Sequence, residues 1–217
     1  MKKISVLFLI LVFTVTSFSQ KVERGIIYWN EQQHLLIDDF TIVADSSSKI
    51  KGNNLAITRT GITYSITSKP QTKTFDIKIY ATMHKTNSFI RASVLDAPAS
   101  SINYLLNHEQ KHFDISEIYA REAVKLLITK RFSKNHVKEI GALMQGLFKQ
   151  SEAMQDLYDK ETSNGSNAAI QKEWDSRIQI HLNSLENYKR KVLIRKYFFF
   201  FFLFYHVHRI NQAFRRN

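Results

Sequence analysis

Residues 96–119 read DAPASSINYLLNHEQKHFDISEIY, and the period of this stretch sets the architecture. Asp96-Ala97-Pro98 opens it, with proline near a first-turn position, where a missing N–H has no helical partner to lose. Ile102, Leu105, Leu106, Phe113, Ile118 and Tyr119 then recur at helical intervals, and the pattern runs to about Thr129. Inside it stands His108-Glu109-Gln110-Lys111-His112. Residues four apart on a helix share a face, one turn apart. Two imidazoles at that spacing can grip one metal ion, and the Glu beside the first can reach a water held there. Leu105, Leu106 and Phe113 give the helix a packing side, which leaves both histidines free to line a cleft.

Upstream the period is that of strands. Ile26, Ile27, Tyr28 and Trp29 form a short apolar run, and Leu35–Phe40 a second one interrupted by Asp38 and Asp39. Ile62, Tyr64 and Ile66 alternate, as do Phe75, Ile77 and Ile79, with a turn signal at Ser68-Lys69-Pro70-Gln71 between them. This predicts a β-meander over residues 21–95, with a loop at Asp45–Asn54. Downstream, Lys134–Lys160 reads as a second helix with Ile140, Leu143, Met144, Leu147 and Phe148 on its apolar side. Ala168–Lys196 reads as a third, with Trp174, Ile178, Leu182 and Leu185 on one stripe. Strands first and helices after predict an α+β fold, an N-terminal antiparallel sheet followed by helices carrying the HExxH.

Lys2 and Lys3 followed by an apolar run from Ile4 to Val15 read as a signal peptide, residues 1–20, cleaved near Ser19 or Gln20. The expected location is therefore periplasmic or secreted, with membrane association the lesser alternative. The absence of cysteine excludes disulfides and thiolate metal sites. Of the net charge of +12, two positive charges sit in the leader and eight in residues 189–217, which leaves +2 for residues 20–188. A body so close to neutral argues against a nucleic-acid partner. Residues 21–188 are expected to form one domain. Residues 189–217 form a basic, aromatic-rich tail with five consecutive Phe from Phe198. It reads as a membrane-surface segment, a buried last helix, or non-native sequence from a T-rich tract.

A catalytic zinc usually takes three protein ligands and keeps one open position. His108 and His112 supply two, and the helix offers no third. The tight continuation that would place a His six residues after His112 has Ile118 there. Asp114 points elsewhere, which suits an outer position orienting an imidazole. Glu117 reads as a solvated ion pair with Arg121. The third ligand is therefore expected near the end of the second helix, among Asp156, Asp159 and Glu161, with Glu161 favoured and His136 and His181 behind it. Glu109 is the expected general base.

Leu105 to Ile115, LLNHEQKHFDI, resembles the L-x-HEQ-x-HFDI signature of a bacterial exported family, domain of unknown function nine-two-two, regarded as zinc metallopeptidases. Trp29 with Leu35, Leu36 and Asp38-Asp39-Phe40 is similar to its early pattern. Ala56-Ile57-Thr58 with Gly61-Ile62-Thr63-Tyr64 is similar to its alternating strand, and Ser88-Phe89 to its Ser-Trp site. Tyr158-Asp159-Lys160-Glu161-Thr162 followed by Gln171 and Trp174 is similar to its closing element, so that the likeness spans roughly residues 28–185. It implies a zincin-like fold, a Zn2+ cofactor and a peptide or protein substrate. Two departures stand out. Ile37 replaces an aromatic, and Asn164 stands where the family often has a His. If that His is the family's third ligand, this chain lacks it and its zinc affinity is in doubt, which is the alternative of a non-catalytic envelope binding protein with the same fold and a degraded metal site. If Glu161 is the ligand, the set is complete.

Overall fold

The computed structural model describes residues 25–198. The expected leader and the tail from residue 199, with the membrane-surface contact expected of it, lie outside the described residues. Among the described residues no helix is long and apolar enough to cross a membrane. The strands are β1 (Ile26–Tyr28), β2 (Thr41–Val43), β3 (Ala56–Ile57), β4 (Thr60–Lys69), β5 (Thr74–His84) and β6 (Phe89–Arg91). They are followed by α1 (Ala99–Thr129), β7 (Phe132–Ser133), α2 (His136–Thr162), α3 (Ala168–Ser184) and β8 (Val192–Phe198). The chain is mixed α+β, with an N-terminal sheet and helices after it.

The β4–β5 hairpin is where the alternating pattern predicts it, in register from Thr60 opposite Met83 to Lys69 opposite Thr74. Its turn runs through Pro70–Thr72, and Lys73 closes it in the left-handed region at φ 52°. Phe75, Ile77, Ile79, Ala81 and Met83, every second residue of β5, have no exposed surface. They face α1, and Phe113, Ala120, Ala123, Val124 and Leu127 of that helix join them in one core. A second core of Ile115, Ile118, Tyr158, Trp174, Ile178, Leu182 and Leu185 lies among the three helices. α1 is thus clad on both sides, and its middle turns are buried, His108 fully and His112 partly.

Three expectations give way. The meander is confined to the hairpin: β2 and β3 flank β6 in a separate three-stranded sheet, β2 running parallel to β6. Strands of two or three residues carry too little alternation to announce a partner. Leu35–Phe40 is a 3-10 turn at Ile37–Asp39 rather than a strand. There Asp39 Oδ2 accepts from the Leu36 N–H at 3.0 Å, and Phe40 N–H donates to Ile37 O at 3.0 Å. Finally, α3 stops at Ser184, and residues 192–198, placed by sequence in a helix and a separate tail, form β8 against β5. β5 has an edge beyond β1 whose N–H and C=O groups need partners, and β8 provides them. Leu193 and Tyr197 turn inward while Ile194 is 70% exposed.

The Glu117–Arg121 pair forms, with Nε to Oε1 at 2.9 Å, but it is not solvated. Glu117 is fully buried and Arg121 nearly so, and Lys191, just before β8, adds a second cation to Glu117. The network ties α1 to the segment leading into β8, which a longer α3 would have carried away.

Candidate metal centre

His108 and His112 leave the same face of α1 with their rings nearly perpendicular, centroids 5.0 Å apart. α2 crosses this face. Tyr158 stacks on His108 at 4.8 Å and meets His112 edge-on at 5.1 Å. Next to it, Asp159 brings Oδ1 to 3.2 Å from His108 Nε2 and 3.0 Å from His112 Nε2. These three donors form a group able to hold a metal ion. Oδ1 is buried, yet neither contact has the alignment of a hydrogen bond. The three donor atoms instead lie within 4.8 Å of one another. A tetrahedral ion with bonds of about 2.0–2.1 Å sets its donors about 3.3 Å apart, and both Nε2–Oδ1 spacings fit one.

The opposite ring nitrogens are equally constrained. His108 Nδ1 lies 2.9 Å from Gln171 Oε1, and His112 Nδ1 is bonded to Gln155 Oε1. The orientation of each amide follows from its other bonds. Gln171 Nε2 donates to Asp175 Oδ1 at 2.8 Å, and Gln155 Nε2 to His112 O at 2.9 Å. Tyr158 OH also donates to Gln171 Oε1, at 2.8 Å. Both Gln oxygens are therefore acceptors, both Nδ1 atoms carry a proton, and in the neutral form of each ring the Nε2 lone pair faces the centre. Locking the tautomer through the far nitrogen is how proteins orient ligating imidazoles.

Glu109 is buried beside the centre, and Thr58 Oγ1 donates to its Oε2. A cavity of about 140 Å³ opens there, walled by Leu55 to Thr58 on one side and by His108, Glu109, His112, Asp159 and Asn164 on the other. It adjoins a larger one of about 550 Å³ that shares Asn54, Leu55, Leu105, His108 and Asn164. Ser163, Asn164 and Gly165, which end α2, are all left-handed. Gly165 has φ +80°, and a Cβ there would stand 3.1 Å from the His108 ring. Only glycine lets the backbone come so close.

Burial pushes the His112 imidazole down, but its contact with Asp159 and the charges of Glu109 and Asp159 outweigh that and raise it to about 8. Asp159 is pushed up by burial and pulled down more strongly by the two histidines, which hold it well below the usual carboxylate range.

Sequence reasoning brings His108, Glu109, His112 and Asn164 to this place, and the structure puts them together. It does not bring Glu161 there. Two residues past Asp159 and about 200° around the helix, Glu161 accepts from Trp174 Nε1 at 2.9 Å and faces Arg177 at 3.5 Å. Asp159 occupies the place expected of it. Asp114 touches neither imidazole. It accepts from Trp29 Nε1 at 2.8 Å and from Gln110 and Lys111, fastening the β1 end to α1, while the glutamines orient the rings. Asp156 is exposed. His136 is buried between the rings of Phe75 and Tyr197, and His181 lies 3.8 Å from Glu122, so neither is near the centre. Gln155, Thr58 and the outer role of Gln171 escape the sequence. The α2 stripe through Ile140, Met144, Leu147, Ser151, Tyr158 and Thr162 is the signal that could find Gln155; Thr58 and Gln171 lie on other elements and carry no such signal. The stripe turns Gln155 inward and Glu161 out.

A family model described as bacterial protein of unknown function (DUF922) matches residues 44–166. The match holds the whole donor group, Glu109 and the turn at 163–165, and ends before Gln171. No curated protein and no solved structure matches.

Proposed function

Because the chain belongs to DUF922, a bacterial family of unknown function, its function has to be read from the site itself, and we propose a zinc-dependent peptidase of the HExxH type, zincin-like in fold and exported from the cell. The observation that carries this reading is the convergence of His108 Nε2, His112 Nε2 and Asp159 Oδ1 beside a buried Glu109. Two imidazoles and one carboxylate are a donor set suited to catalytic zinc, with a fourth position left for substrate or water. Bound there, the ion would lower the pKa of a water to about 7 and polarise a carbonyl.

The rest is the work of side chains. Thr58 holds Glu109 by Oε2, which leaves Oε1 to take the proton of the attacking water. The C–N bond breaks, and the same carboxyl returns the proton to the leaving amine. Gln155 and Gln171 keep both Nε2 atoms aimed inward. β3 pairs only with β6 among the described residues, so its other edge is open along the wall of the cavity. An extended peptide can add to such an edge through main-chain bonds, and this supports a peptide substrate.

The purified chain, loaded with zinc and dialysed, is expected to retain about one ion, read by elemental analysis. Asp159→Ala abolishes retention and Glu161→Gln does not. Glu109→Gln keeps the ion but lowers turnover of a mixed peptide pool by at least about 100-fold. Equal retention in Asp159→Ala would remove the proposed centre. A loaded chain with no turnover on any pool, equalled by Glu109→Gln, would leave a binding protein in place of an enzyme.

A further inference from the structure

The 550 Å³ cavity next to the donor group is built without charge. Asn53, Asn54, Ser101, Tyr104, Asn164 and Ser166 carry much of its wall, and no Asp, Glu, Lys or Arg lines it. In a chain where nearly a quarter of all residues are charged, this hollow, which meets the centre at His108, offers hydroxyls, amides, the Tyr104 ring and the apolar side chains of Leu55 and Leu105. A charged side chain entering it would shed water and gain no counter-ion. A purely apolar one would strand the polar wall groups.

Both walls are preformed. Arg91, nearly buried, donates from Nε to Asn54 O at 2.7 Å and from Nη2 to Ile50 O at 3.0 Å and Gly52 O at 2.9 Å, with Nη1 on Asp45 O. That one guanidinium fixes the loop presenting Asn53 and Asn54. Opposite, Tyr104 OH donates to Gly165 O at 2.6 Å, which pins its ring to the turn at 163–165 while 37% of the residue stays exposed.

We infer that this cavity is a subsite for a neutral sugar carried on the peptide, seated next to the bond to be cut. The inference rests on the peptidase reading and names its substrate class. Size separates a sugar from a side chain: at about 30 Å³ for each water the cavity has room for on the order of eighteen waters, which admits a whole N-acetylhexosamine and is far more than a Ser or Asn side chain fills. Chemistry agrees, because sugar hydroxyls and an acetamide both donate and accept, as the Asn and Ser wall does. The Tyr104 ring supplies the flat apolar surface that the C–H face of a sugar covers.

Binding to the zinc-loaded Glu109→Gln chain tests this by calorimetry. The probes are a short peptide bearing N-acetylglucosamine on a Ser, the same peptide with a bare Ser, and versions with Glu or Lys there. The glycopeptide is expected to bind at least tenfold more tightly than the others, and Ser101→Lys or Ser166→Lys, both at exposed positions, to erase that preference. Equal binding of the bare peptide, tighter binding of a charged one, or a preference that survives both lysines would overturn the inference. Zinc content, measured on the same samples, separates the two readings. Zinc held without sugar preference sinks the subsite alone, and sugar preference without zinc sinks the peptidase alone.

Discussion

At His112 a proton and the proposed metal would compete for one atom. The His112 Nδ1 proton is committed to Gln155, so the proton that titrates is on Nε2, the atom facing Asp159. With the imidazole raised to about 8, the metal-free protein at pH 7 holds that proton, and an incoming ion has to displace it. Asp159 stays ionised throughout, so the dependence comes from the histidine side. Metal affinity is expected to fall about tenfold for each pH unit below about 8 and to level off above it, as titrations at several pH values will show. Stability of the metal-free chain runs the other way. A histidine raised from 6.5 to about 8 stabilises the fold fully below pH 6.5 and loses that contribution, on the order of 2 kcal/mol, as pH rises through about 8. Denaturant melts of metal-free protein at pH 6 and pH 9 check the sign, and a metal-free chain more stable at pH 9 contradicts it.

At the scale of elements, the turn that ends α2 couples a backbone conformation to the site. Gly165 combines a positive φ with a 3.1 Å approach to His108, so Gly165→Ala is strained twice. It is expected to lower stability by about 1–3 kcal/mol and to weaken metal binding by pushing the His108 ring from its place. Gly146, inside α2 with open space where a Cβ would stand, is the control: Gly146→Ala leaves metal binding unchanged and raises stability by about 0.5–1 kcal/mol. Thermal melts and metal titrations of the two variants decide it. Loss of metal in both, or in neither, would mean that the turn does not position His108. α1 and the stripe of α2 are legible in the sequence because a period of 3.6 over many residues is a strong signal. The choice between Asp159 and Glu161 is not, because it depends on how α2 is rotated against α1. That rotation is set by Tyr158, Trp174 and Ile178 packing against Ile115 and Ile118, contacts between segments far apart in the chain.

For the molecule as a whole, the last described strand joins two parts of the sheet, lying between β5 and β7. Leu193 sits opposite Ile77, and Tyr197 stacks over His136. Leu193→Ala is expected to cost about 2–4 kcal/mol, since it leaves a cavity against β5. Ile194→Ala, on the open face, should change stability by less than about 0.5 kcal/mol. Equal effects in urea melts would mean that β8 does not pack as described. The buried Glu117 depends on the same segment, through Lys191 just before β8. Helical periodicity runs on past Ser184 in the sequence because the residues that stop α3 and start β8 have no strong breaker between them. The open edge of β5 made the decision.

Spacing along a single element was enough to specify the long helix, the hairpin, and the placing of His108, Glu109 and His112 on one helix. Which carboxylate completes the group, which amides orient the rings, and where the strand order closes were settled by packing alone. Each of those depends on the relative rotation or edge pairing of elements distant in the chain, and no local pattern encodes that.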